Sequence, residues 1–179
     1  MRKIIIIVLL SVLMVGCGNM NNTPTKQVEM FLEKYQVLDE DVLEDLNNIT
    51  LEEEKFNTAQ RERYISLMKK HYQNIKYEIK DEEIDGDNAI VKAEIEVIDY
   101  SKKKAETREY LKENPEFFND ENGEYDEVKY MDYMLDELEK SNEKVKYTIN
   151  FTLTKKDDKW HMDDLNNMDE DKLHGVYEY

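Results

Sequence analysis

The sequence predicts an α+β domain: N-terminal helices packed on a curved, antiparallel, cone-like sheet, with a helical insertion between two hairpins. Three observations predict it. Apolar residues recur every three or four positions from Val28 to Ile75, then every second position from Ile75 to Val97. The two-residue period returns from Val145 to Leu153, and helical spacing occupies 101–142 between the two stretches. A change of apolar period from about 3.6 to 2 marks the passage from helix to strand. Helices first and strands after them, rather than strict alternation, indicate α+β organisation. One face of such a sheet must be covered, and the helices are the available cover.

The elements follow in order. Thr23-Pro24 reads as an N-cap followed by proline at the first helical position. Val28, Phe31, Leu32, Tyr35, Leu38, Val42 and Leu46 then form one stripe. This predicts a long amphipathic helix, kinked near Asp39-Glu40-Asp41 and ended by Asn47-Asn48. Thr50-Leu51-Glu52-Glu53 has the spacing of a capping box, so a short second helix is expected there. Tyr64, Leu67, Met68, His71 and Ile75 mark a further helix within 58–73.

Ile75, Tyr77 and Ile79 alternate with charged residues, as do Ala89, Val91, Ala93, Ile95 and Val97. Asp85-Gly86-Asp87 between them tolerates the positive φ of a tight hairpin turn. In the insertion, a short helix is expected from Thr107 to Glu113, stopped by Pro115. A loop follows at Asn119–Gly123, then a helix over 124–140 with Val128, Met131, Leu135 and Leu138 inward. The second hairpin runs from Val145 through a turn at Lys156–Lys159 to Trp160 and Met162. Asp169 to Leu173 predicts a last helical turn, ended by Gly175.

The N-terminus carries a different signal. Met1-Arg2-Lys3 is basic, the run from Ile4 to Val15 is apolar, and Gly16-Cys17 closes it. This is the layout of a secretory signal, short of the roughly 20 apolar residues of a permanent span. Met14-Val15-Gly16-Cys17 resembles the bacterial lipobox, with methionine where leucine is usual. The resemblance implies cleavage after Gly16 and a diacylglyceryl-type lipid on the Cys17 sulfur. Two acyl chains meet what stable anchoring requires. The expected organisation is a signal peptide over 1–16, lipidated cysteine and polar tether over 17–23, and one domain over 24–179. The expected location is the extracytoplasmic face of the cell membrane.

Removing the signal leaves 163 residues, with 23 basic and 42 acidic side chains and a net charge of about −19. Such a surface repels nucleic-acid phosphates, so no nucleic-acid partner is expected. Cys17 is the only cysteine. That excludes an internal disulfide, and it leaves the folded domain no thiol nucleophile and no cysteine metal site. Twelve Tyr, five Phe and one Trp, many at helix or strand spacings, argue for a packed core rather than disorder.

Several runs together resemble a known family. They are Pro24 to Asp41, Ile75-Lys76-Tyr77-Glu78-Ile79 with Asp85-Gly86-Asp87-Asn88-Ala89-Ile90-Val91, Asp158-Lys159-Trp160-His161-Met162, and Lys172-Leu173-His174-Gly175-Val176-Tyr177. They are similar to nuclear-transport-factor-2-like (cystatin-like) domains, above all those of small Gram-positive lipoproteins. The resemblance covers most of residues 24–179 and implies a cystatin-like roll whose cone can take a ligand. Some members are isomerases or dehydratases, but no catalytic motif of theirs matches here residue by residue.

The remaining candidates are judged on their own chemistry. His71 lies on an apolar helix stripe, where a packed, hydrogen-bonded histidine is commoner than a base, and it is also a possible ligand-pocket residue. Asp99 and Tyr100 end a strand near the expected cone mouth, where they could meet a ligand. His161 and His174 are expected at the surface. Asp120-Glu121-Asn122-Gly123 looks like part of a calcium loop. With Gly123 at the sixth position, however, Phe118 and Lys129 fall where acids are needed. No metal and no cofactor is expected. The reading is a non-catalytic binding or interaction module for an envelope protein, a peptide or a small apolar ligand. The alternative is a small-molecule enzyme of isomerase or dehydratase type working inside the cone.

Overall fold

The computed structural model describes residues 22–52 and 56–178. The signal segment, Gly16, Cys17, most of the tether and Glu53 lie outside the described residues.

Helix α1 spans Pro24–Val37, and the Thr23 hydroxyl accepts from Lys26 N at 3.1 Å. The expected kink is a full break. Leu38 adopts the left-handed region at φ 57°, which ends α1 and lets α2 start at Glu40. Leucine tolerates this conformation poorly, and its side chain packs against the core in return. Helix α2 runs on to Glu52, through the Asn47-Asn48 pair expected to stop it. Both asparagines are exposed, so their side chains do not compete for the helix bonds. Thr50, expected as a cap, sits inside α2, and its hydroxyl donates back to the carbonyls of Leu46 and Asn47 at 2.9 Å. The true capping box is Asn57 with Gln60, which opens α3 at Thr58–Gln73.

Strands β1 (Lys76–Asp85), β2 (Asn88–Ile98), β3 (Lys144–Lys156) and β4 (Lys159–Met162) form one antiparallel sheet in that order. Gly86 at φ 60° turns the first hairpin. Asp157 and Asp158, at φ 51° and 60°, supply the two positive values that a type I′ turn needs in the second. Alternate residues of β2 and β3, from Ala89 to Val97 and from Tyr147 to Leu153, are buried. The opposite face is polar and carries cross-strand pairs such as Lys146–Glu94 at 2.8 Å and Lys144–Glu96 at 3.1 Å.

Val28 and Leu32 of α1 press onto the buried face, and Phe31 meets the Phe151 ring edge-on at 5.9 Å. Leu173 of α6 (Asn167–His174) joins the same core. Val28, Leu32, Ile95, Ile149 and Phe151 are all 0% exposed, so none faces an open cone mouth.

The insertion is more helical than expected. Helix α4 begins at Tyr100, not Thr107, and ends at Glu113. A 3₁₀ turn at Pro115–Phe118 follows, then α5 at Glu127–Lys140. Val128, expected inward, is exposed; the inward stripe is Tyr130, Met131, Met134, Leu135 and Leu138. Phe118 is fully buried against the rings of Tyr110, Tyr130 and Tyr133, which gives the insertion its own aromatic centre.

Candidate functional site

The structure brings His71 and Tyr100 together, but in a fastening rather than at a mouth. His71 is buried on α3, its ring 5.1 Å from that of Tyr100. Its Nε2 lies 2.9 Å from the carbonyl of Leu173, which accepts the ring N–H. Nδ1 is buried without a hydrogen-bond partner. Burial pushes the histidine down to about 4, and the bond to Leu173 offsets only part of this. Burial likewise pushes the Tyr100 hydroxyl up.

Asp99 and Tyr100 do not close a strand at an opening; they start α4. Asp99 Oδ1 accepts from Lys102 N at 3.0 Å and from the Ser101 hydroxyl at 2.7 Å, the work of an N-cap. The amides of Tyr100 and Ser101 donate to the carbonyl of Gly175 at 2.8 and 3.0 Å. His71, Tyr100 and Ser101 therefore tie the end of the C-terminal helix α6 to α3 and α4.

His174 departs from its expected surface role. It is partly buried, with its ring 5.7 Å from Tyr72, and is pushed down to about 4, first by burial and then by His71. His161 is exposed, as its place in β4 predicts. Asp120 folds its own loop, accepting from Asn122 N at 2.8 Å and Glu124 N at 2.9 Å. Among the described residues no group of three or more His, Cys, Asp or Glu side chains is placed to hold a metal ion.

A cavity of about 260 Å³ lies elsewhere, within the helical layer. Ile49 and Thr50 of α2 and Tyr64 of α3 form one side of it. Tyr130, Met131 and Met134 of α5 form another, and Lys104 and Arg108 of α4 face the same space. No lining residue belongs to a strand. The site was missed in the sequence because it is assembled from four separate helices. The Tyr130-Met131-x-x-Met134 spacing was its one legible trace.

No family model matches the chain, and no curated protein does. Among solved structures, the fold is similar to that of a candidate lipoprotein, ycdA, from Bacillus subtilis, at 16% identity and a TM-score of 0.45. The match covers 80% of this chain and 47% of the other, so the chain spans about half that protein's length. Among the described residues no helix is long and apolar enough to cross a membrane.

Proposed function

We propose that the chain is a lipid-anchored binding module on the extracytoplasmic face of the cell membrane. In this reading residues 1–16 are removed, Cys17 carries a diacylglyceryl-type lipid, and residues 24–179 form one domain. The module binds its ligand without converting it. The observation that carries the binding reading is the helical cavity. It offers aromatic and thioether walls with two cations, and among the described residues no Asp, Glu or His that could act as general base lines it. The nuclear-transport-factor-2-like placement is part of the same proposal, supported by α1 lying under an antiparallel sheet.

The anchor has a direct test. Changing Cys17 to Ala is expected to move the protein from the membrane fraction to the soluble fraction of cells. Continued sedimentation with membranes would mean that something other than the lipid holds it.

The tether also fixes an orientation. Asn22 Nδ2 donates to the Asp158 carbonyl at 2.7 Å, and Asn22 Oδ1 accepts from Trp160 N at 2.9 Å. Thr25 donates through its amide and hydroxyl to Glu82 at 2.9 and 2.7 Å. The chain thus enters beside the two hairpin turns. Cys17 lies five residues before Asn22, a reach of at most roughly 17 Å. The insertion leaves β2 and re-enters β3 at the other end of the sheet, roughly 35 Å along an 11-residue strand. The turns should therefore face the lipid. With Cys17 acylated, a cysteine introduced at Asp87 or Asn122 is the sole free thiol. A nitroxide at 87 should be strongly broadened by a nickel-chelating headgroup and one at 122 weakly; the reverse ranking would refute the orientation.

A further inference from the structure

We infer that a second cleft, between α1, α2, α3 and α6, is a site for a small primary amine in its ammonium form. This goes beyond the helical cavity and does not depend on the anchor. The cleft measures about 230 Å³. Tyr35 of α1, Asp45 of α2, Tyr72 of α3, and Glu170 and His174 of α6 bring polar groups to it.

The deciding group is the Tyr72 hydroxyl. Tyr72 is only 2% exposed, its ring packed edge-on against Tyr35 at 5.0 Å and against His174 at 5.7 Å. It lines the cleft, and its hydroxyl has no hydrogen-bond partner among the described residues. Buried polar groups in folded proteins are nearly always paired. The partner of this one must come from the cleft.

The charge of the cleft says which partner. Asp45 and Glu170 are exposed at its edge, and neither is in an ion pair with any described residue. No Lys or Arg among the described residues lines the space. His174 is held neutral near pH 7, pushed down to about 4 by burial first and then by His71. Burial, then Asp45, then Glu170 push the Tyr35 hydroxyl up to about 12, so both carboxylates act on this phenol. Asp45 also helps push Tyr72 up, behind burial and two neighbouring tyrosines. The cleft thus offers two negative charges and two protonated phenols, a setting that favours a cation.

The cation is organic. Among the described residues no three acids and histidines are placed to hold one metal ion, so Asp45, Glu170 and His174 do not form a coordination sphere. An ammonium has three N–H donors for separate carboxylate and phenol oxygens, and tyrosine rings attract its charge. Val42 and Leu46 supply an apolar wall for a short body. The volume suits one ring or a short chain.

Probes with one body and three heads test this. The full lipidated chain in phosphatidylcholine vesicles would be titrated calorimetrically with 2-phenylethylamine, its trimethylated ammonium and 2-phenylethanol at physiological salt. Protein-free vesicles correct for partitioning. The primary amine is expected to bind about tenfold more tightly than either of the others, because only it brings both charge and N–H donors. Tyr72→Phe removes one oxygen and keeps the ring contacts. It should weaken the amine about fivefold while the thermal unfolding midpoint holds. Asp45→Asn with Glu170→Gln should weaken it about tenfold or more. Glu113→Gln with Glu121→Gln makes the same change in net charge at exposed positions outside the cleft, and should leave binding nearly unchanged. No binding of the amine, equal binding of its trimethylated form, undiminished binding by Tyr72→Phe, or equal losses in the two double variants would each overturn the inference.

Discussion

Replacing Gly175 with alanine is expected to destabilise the fold by about 3 kcal/mol or more. Two costs add there. Gly175 caps α6 in the left-handed region at φ 71°, where a side chain costs about 1 kcal/mol. A Cβ would also lie 2.1 Å from the Ile98 carbonyl oxygen and 2.9 Å from His71 Cε1. Neither neighbour can yield easily. Ile98 is backbone at the end of β2, and His71 is fixed by its bond to the Leu173 carbonyl. Shifting the tail instead would break the two bonds that the Gly175 carbonyl accepts from Tyr100 and Ser101. Gly86 is the internal control, with φ 60° and nothing within 4 Å of a Cβ. Gly86→Ala should therefore lose only the conformational part, about 1 kcal/mol. Urea unfolding of both variants separates the terms; equal losses would mean that the close approach at Gly175 relaxes without cost.

The same glycine shows how much was legible in the sequence. Its role as a helix stop was readable from position, since glycine just past a periodic segment is a C-cap signal. What it approaches was not, because Ile98 and His71 are distant in sequence. The sheet read well for a related reason. In β2 and β3 the two-residue alternation coincides with burial at nearly every position, and the turn residues are those that positive φ demands. The helical half read less well. Leu38 has no local feature announcing a left-handed residue; its tertiary packing permits one. Asn47 and Asn48 look like a stop, yet exposed asparagines inside a helix cost only a few tenths of a kcal/mol. Tyr100 to Glu106 carry a weak apolar pattern because only Tyr100 and Ser101 are buried in that half of α4. Of the residues singled out as possible pocket residues, His71 is buried and hydrogen-bonded to the Leu173 carbonyl, the commoner fate of a histidine on an apolar stripe. Asp99 and Tyr100 were misread because a strand end and a helix start share the same polar signal. The cavity left only the Tyr130-Met131-x-x-Met134 spacing as a trace, since no single helix shows more than two or three of its walls.

Acidification should weaken the fastening around His71, and the direction follows from the imidazole's surroundings. In the unfolded chain it titrates near 6.5; in the fold burial holds it at about 4. Above pH 6.5 it is neutral in both states and its full contribution is present. Between 6.5 and 4 the unfolded chain takes up a proton that the fold refuses, so stability falls as pH falls. Below 4 both states are protonated and the loss stops growing. The span corresponds to about 3 kcal/mol from His71. His174 adds in the same direction, but less than an equal share. It keeps part of its surface exposed, so burial counts for less there than at His71. An opposing effect comes from the net charge, because protonating carboxylates relieves self-repulsion as pH drops toward 4. The wild-type curve alone therefore mixes two trends. His71→Gln isolates one of them, since glutamine keeps an N–H for the Leu173 carbonyl but cannot charge. At pH 7 the variant should be less stable than wild type, having lost ring packing on Tyr100. As pH falls through the window the gap should close by about 3 kcal/mol, and the order inverts if the gap at pH 7 is smaller than that. Parallel stability curves from pH 7 to pH 4 would show that the imidazole is not held neutral by its burial. Because the tail that leaves this fastening also carries Glu178 to Arg108, the pairing at the cavity rim should loosen over the same pH range.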